Sequence, residues 1–443
     1  MTRTFFSTLL SLSLLALIGL SGCIQDTCTE ERRYYAYEPV YLSFDDLRAS
    51  VQSEASRDLK QPGKLYFKDQ FIYITEVNEG VHVYNNQNPS DPQAVGFIQV
   101  PGIRDLAIKG NVLYVDSYTD LVAIDITDPL AVEEVNRELD VFPYGSTHPG
   151  LWADPSQGVA IDWVETQIEQ EIDCSTGWGG GGWNLRNSFL ENDVALGSVS
   201  SFASNSDFAA SPTPQGPSSG PGQGGSMARF TLVGDFLYCV TDFNLLPFGV
   251  SDESNPTRQT QVNIGWGIET IFPMKDHLFI GSQTGMFIYD LDNPRSPGYV
   301  SEFQHVRACD PVVVEGDWAY VTLRNGEDNT CNGFTNQLDV VNIENLAEPF
   351  LFQSFSMFNP HGLGIRDDVL FICDGEDGLK VYDATEKSEI DNNLLAHFPD
   401  INAVDVIPLE NILLMIGADG FYQYDYSDLQ NIREISQIPI VRE

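Results

Sequence analysis

Positive charge is what this chain has least of. Lysine and arginine together number 23 against 64 aspartates and glutamates, a formal net charge of −41. Such a surface repels the phosphates of nucleic acid and anionic headgroups, so nucleic acid is excluded as a partner, while cations and basic partners are favoured. The carboxylates are scattered rather than run together, as solvated turn and strand residues are. Past the first 22 residues no stretch approaches the roughly 20 apolar residues that cross a bilayer as a helix. There is no C-x-x-C, P-loop, G-x-S-x-G, H-E-x-x-H or EF-hand loop, so zinc, nucleotide and common hydrolase signatures are missing. "DGEDG" (374–378) has the composition of a Ca2+ loop without its ligand spacing and reads as a surface turn. No catalytic residue, metal site or cofactor is expected, Ca2+ being the one weak candidate. The six histidines are dispersed, and His82 reads as a satisfied core or edge residue.

What is present begins with an address. Arg3, an apolar stretch from Phe5 to Leu20 and "LSGC" at Leu20–Cys23 have the layout of a secretory signal over 1–22. "LSGC" looks like the lipobox of bacterial lipoproteins, in which the cysteine is acylated, so Cys23 is the expected lipid anchor. Several acyl chains, at roughly 0.8 kcal/mol per buried CH2, hold a protein stably at a membrane. Losing Arg3 with the signal takes the net charge to −42. Six further cysteines remain: Cys28, Cys174, Cys239, Cys309, Cys331 and Cys373. An even remainder suits an oxidising compartment, although six cysteines allow 15 pairings. Cys309 and Cys331 flank one acidic hairpin and form the expected bridge, whereas Cys239 and Cys373 sit inside apolar strands where a free thiol is equally in order.

The rest of the chain writes one strand many times. "DLVAIDITDP" (120–129) recurs as "GVHVYNNQNP" (80–89), "GMFIYDLDNP" (285–294), "QLDVVNIEN" (337–345), "GLKVYDATE" (378–386) and "GFYQYDYSD" (420–428). From Asn85 to Asp125 is 40 residues, from Asn342 to Asp383 is 41 and from Asp383 to Asp425 is 42. A unit of that length with β-type patterning holds four short strands, the signature of a propeller blade. Apolar runs without strict alternation indicate sheets covered on both faces. Seven units follow, 62–100, 101–143, 226–267, 268–306, 307–358, 359–400 and 401–441, the third degenerate. The expected fold is an all-β propeller over 62–441 with seven four-stranded blades. Residues 23–61 form a tether and lead-in strand, and six or eight blades arise if "YYAYEPVYLSF" (34–44) completes or caps one.

The repeated strand, the restart "PGIRDLAIKGNVLYVDSYTDL" and "CDPVVVEGDWAYVTLRNG" together resemble the LVIVD-repeat family of bacterial and archaeal β-propellers, often lipoproteins. The resemblance implies a propeller at the cell envelope and no particular activity. It covers most of 34–143 and 226–441, and the third unit and an insertion depart from it.

That insertion, 144–225, runs from "QGVAIDWVETQIEQEID", readable as helix or strand, through "CSTGWGGGGWN" to "ASPTPQGPSSGPGQGGS". The last stretch is too poor in apolar residues to offset chain entropy, so 203–225 is expected to be mobile. Trp178 and Trp183 around four glycines offer flat contact area for a partner or pack down on the propeller. Aligning the units on "GNVLYV" puts Gly63, Arg104, Ala228, Glu269, Asp310 and His361 at blade entry, with Asn402 nearby in the last unit. Arg104, Glu269, Asp310, His361 and Asn402 are therefore the candidates for a polar ring at one channel mouth, either a site for a cation or small polar ligand or plain hydrated lining. The expected function is an envelope-tethered lipoprotein, in the outer membrane, that serves as a binding or interaction scaffold for an envelope protein or small polar ligand. The alternative is a hydrolase or lyase working at the polar mouth.

Overall fold

Why the repeated strand ends in Asp or Asn becomes plain in the computed structural model, which describes residues 29–142, 153–173, 222–309, 311–325 and 335–442. Asn85, Asp125, Asp290, Asn342, Asp383 and Asp425 each accept the N–H two residues on, at 2.8–3.2 Å. These side chains mimic a backbone turn and stop the strand. At Asp125, Asp383 and Asp425 the Thr or Ser bonds hold the carboxyl below its usual range.

The chain divides into two compact units. In one, comprising 1–40 and 161–202, the described residues lie in a two-stranded sheet that pairs Thr29–Leu42 with Val159–Asp173. The stretch 34–42 thus pairs with Val159–Asp173 and completes no blade, and "VAIDWVETQIEQEID" is a strand. Trp163 lies in it.

The other unit, 41–160 and 203–443, carries seven sheets, each of four antiparallel strands in chain order. Their innermost strands are Pro62–Lys68, Leu106–Lys109, Phe230–Val233, Ile268–Met274, Val312–Glu315, Leu363–Arg366 and Ala403–Pro408. Each packs against the next, and the first packs against the last, closing a seven-bladed ring. Blade 1 gains a fifth strand, Gln52–Glu54, on its outer strand Gln93–Gln99. Blade 3 is the irregular one, because its outer strand is broken into Thr257–Arg258 and Val262–Asn263.

Middle strands are buried on both faces, as their unbroken apolar runs require. Neighbouring blades are also tied by hydroxyls: Tyr114 Oη donates to the Glu253 carbonyl at 2.7 Å and Tyr238 Oη to that of Pro294 at 2.9 Å. Among the described residues no strand from one end of the chain completes a blade begun by the other. Closure rests instead on Leu65 and Ile72 packing with Ile407 and Leu414, and on the buried side chains of Asn86 and Gln423, which exchange two hydrogen bonds of 2.8 Å. Gln423 Nε2 also donates to the Pro89 carbonyl.

Candidate functional site at the propeller axis

The central channel is filled by the chain itself. After the insertion, residues 222–229 cross the ring before entering blade 3. Gly222 N–H donates to Ile108 of blade 2, Gln223 and Gly224 pair with Phe67 and Tyr66 of blade 1, and Gln223 Nε2 reaches the Pro408 carbonyl of blade 7. Ser226 Oγ then accepts from Leu363 N–H of blade 6 at 2.8 Å, and the Ala228 carbonyl from Ile271 N–H of blade 4. Ser226, Met227 and Ala228 are buried. The expectation of mobility for 203–225 therefore fails at its C-terminal end, where 222–225 is pinned by backbone bonds that composition does not reveal. Residues 203–221 lie outside the described residues.

Three charged side chains hold this crossing segment: Lys64 and Asp105, each one place past an entry position picked out in the sequence, and Asp405, three places past Asn402. Lys64, 2% exposed, donates from Nζ to the Met227 carbonyl at 3.1 Å. Asp105 Oδ2 accepts N–H from Arg229 and Phe230 at 2.6 and 3.1 Å. Asp405 Oδ1 accepts from Ser226 N and Oγ, each at 3.1 Å, and from Val406 N. Its Oδ2 is buried without a hydrogen-bond partner. Gly225 and Gly362 are needed here, since a Cβ on either would come within 2.2 Å of an Asp405 oxygen. Burial pushes both carboxyls up to about 6 against the pull of the Lys64 ammonium and the N–H donors. One ammonium thus faces two buried carboxylates.

The predicted ring is split. Glu269 and His361 come together with Cys309, Arg324 and Met227 around a cavity of about 10 Å³, room for one water. His361 donates its N–H to the Cys373 carbonyl, and burial, with Arg324 nearby, pushes its imidazole down to about 3, so it is neutral at physiological pH. Arg104 lines a separate cavity of about 90 Å³ between blades 2 and 3, with Asp116, Tyr118, Phe142, Arg229 and Asp242. Asn402 lines neither: its N–H donates to Asp419 Oδ2 at 3.0 Å, and the residue of the last blade in register with Glu269 is Val404, since both blades carry the same bulge there. Asp310, Trp178, Trp183, Cys174, Cys331, Cys28 and Cys23 lie outside the described residues.

Other sequence candidates resolve into structure. "DGEDG" is a turn whose Asp374 accepts N–H from Phe358 and Asn359, while Lys380 Nζ sits 2.5 Å from both Asp374 and Asp377, in the place a cation would take. His82 is buried, 2.8 Å from Glu76 and edge-on to Phe97. Burial raises the Glu76 carboxyl, but the bond to His82 and the N–H groups of Lys60 and Gln61 bring it below its usual range. Cys239 and Cys373 are buried free thiols, and burial pushes both up. Among the described residues no helix is long and apolar enough to cross a membrane.

Residues 103–137, which span blade 2, match the LVIVD repeat. No curated protein matches the chain. Similar solved structures include the computationally designed Ika8 protein, 8% identical with a TM-score of 0.48 over 88% of this chain and 92% of that one. A protein from Lactobacillus plantarum is 12% identical, TM-score 0.48, over 79% and 86%. BamB from Moraxella catarrhalis is 11% identical, TM-score 0.44, over 84% and 98%. No functional residue is carried over from any of them.

Proposed function

We propose that this LVIVD-repeat β-propeller is a lipoprotein of the bacterial envelope, held at the outer membrane through acylated Cys23, and that it serves as a binding scaffold for an envelope partner. The observation that carries the scaffold reading is the filled axis. With Ser226, Met227 and Ala228 packed across the ring, binding surface is left to the mouths, the outer strands and the insertion, while the blades become a rigid frame that presents them. The tether is supported by the "LSGC" sequence alone. A Cys309–Cys331 bridge fits the same address: Cys309 is buried at the mouth of its hairpin and pairs with Arg324 through two backbone bonds.

Two variants test the two halves separately. Cys23→Ser should be exported yet leave the membrane fraction, and a mutant that still sediments with membranes would end the tether reading. Deleting 174–221 leaves the strand Val159–Asp173 and the axial segment in place. It should abolish cross-linking to envelope partners with the unfolding midpoint unchanged; cross-links that survive intact would remove the insertion from the contact surface.

A further inference from the structure

The outer strands of the blades form the rim of the propeller, and in a chain this acidic most of them carry charge. Two carry none: Gln93–Gln99 of blade 1 and Phe350–Ser356 of blade 5 contain no Asp, Glu, Lys, Arg or His. The first is covered, since Gln52, Ser53 and Glu54 pair antiparallel with Gln99, Ile98 and Phe97. The second ends its sheet, and among the described residues no strand lies outside it. An uncharged row of unpaired backbone N–H and C=O groups is a template for another strand.

Side chains sharpen the contrast. Six outer strands share a bulge, and the residue just before it is Ala94, Glu134, Tyr299, Leu351, Leu394 or Glu434. Blades 2 and 7 put a carboxylate there, whereas the successive blades 4, 5 and 6 put an exposed large apolar group. Blade 5 adds Phe350 and Phe352, both exposed, the latter edge-on to Trp318 at 5.0 Å. Past the bulge come Ser354, Phe355 and Ser356, the counterparts of the three residues at which blade 1 is covered. Ser354 Oγ turns inward to donate to Asp339 at 2.6 Å and Phe355 is buried, so this half of the edge is small and open to a backbone.

We propose that a second copy of this chain docks here, the two Phe350–Ser356 strands pairing antiparallel about a two-fold axis at Gln353 so that the blade 5 sheets of both copies run on into one another. Charge selects this occupant. Two molecules of net charge −41 repel wherever carboxylates face each other, and on this edge they meet without them. Shape selects it as well: about Gln353 the two-fold sets Phe350 opposite Ser356 and Phe352 opposite Ser354, large against small. One strand pair with its apolar flank lies at the low end of interface sizes, below about 1,200 Å², so the dimer is reversible.

Sedimentation velocity of the Cys23→Ser protein, which keeps any acyl chain out of the contact, should show a concentration-dependent shift from monomer to dimer. Leu351→Glu installs the carboxylate that blades 2 and 7 carry at this position, so the fold accepts it. It should weaken the dimer about ten-fold or more with the unfolding midpoint unchanged. Gln353→Cys puts a thiol on the two-fold axis, where opposed Cβ atoms lie about 5 Å apart. Mild oxidation should cross-link it faster than Tyr299→Cys, an exposed control on the neighbouring blade. A sedimentation coefficient independent of concentration, Leu351→Glu dimerising as tightly as its parent, or Gln353→Cys cross-linking no faster than Tyr299→Cys would each overturn the proposal. None of these outcomes bears on membrane tethering or on the insertion, so this proposal and the scaffold reading fail separately.

Discussion

Asp405→Asn isolates the carboxylate at the axis whose Oδ2 has no partner. Asp405 is fully buried, and burial raises its carboxyl from the ordinary carboxylate range to about 6. A carboxyl whose folded pKa lies above its unfolded one binds its proton more tightly in the folded state. Its contribution to stability is therefore complete below the unfolded pKa and is lost as the pH rises through about 6. Between pH 8 and pH 5 the unfolded carboxyl stays ionised while the folded one takes up its proton, which amounts to one pH unit of linkage, about 1.4 kcal/mol. The wild type by itself does not report this cleanly. His361, pushed down to about 3, works in the opposite sense, because the unfolded imidazole protonates below its ordinary value while the folded one does not. Over the same interval that costs about 2 kcal/mol, which offsets most of the gain from Asp405 and Asp105 together. The variant cancels the histidine. Urea unfolding of wild type and Asp405→Asn at pH 5 and pH 8 should show the variant gaining about 1.4 kcal/mol relative to wild type at the higher pH. A stability difference that is the same at both pH values would refute the claim that a raised Asp405 carboxyl faces the axial segment.

Gln423→Leu should cost about 3 kcal/mol, because it strands the buried amide of Asn86 and the Pro89 carbonyl at the seam between blades 7 and 1; a loss below about 1 kcal/mol in chemical unfolding would show that the seam rests on apolar packing alone. Peptide mapping without reduction should recover Cys309 linked to Cys331, and cutting that bridge should lower stability by on the order of 3 kcal/mol for a loop of about 22 residues; either thiol found free would end the claim. Phe350, Leu351 and Phe352 stand 53%, 47% and 43% exposed on the outer strand of blade 5, an uncharged edge of the kind that blade 1 covers with Gln52–Glu54. Leu351→Lys should lower concentration-dependent association in sedimentation velocity with the unfolding midpoint unchanged, and unaltered association would mean this edge is inert.

The fold was legible because everything that specifies a blade is local. A run of four apolar residues, a Gly or Asp turn and an Asx-type stop lie within about 40 residues, and the fraction of each strand that is buried follows from its lack of alternation. The seven blades, the irregular third one and the place where the chain leaves the ring, between Glu138 and Phe230, could all be read in this way. The candidate site was legible only in part. Arg104, Glu269 and His361 do line cavities at blade entry, but counting residues could not sort them into two cavities.

What tertiary structure alone decided is the axis. Lys64, Asp105 and Asp405 are separated by up to 341 positions in the chain, and each looks in the sequence like an ordinary charge at the start of a strand. They become a buried cluster only because "GQGGSMARF", at the end of a Gly-, Ser- and Pro-rich stretch that reads as pure linker, is drawn across the ring by backbone groups of five blades. Local sequence determines strands and turns because their hydrogen bonds close between near neighbours. The burial of a charge, and with it its acidity, is set by whatever distant segment excludes the water, and that is written nowhere near the charge itself.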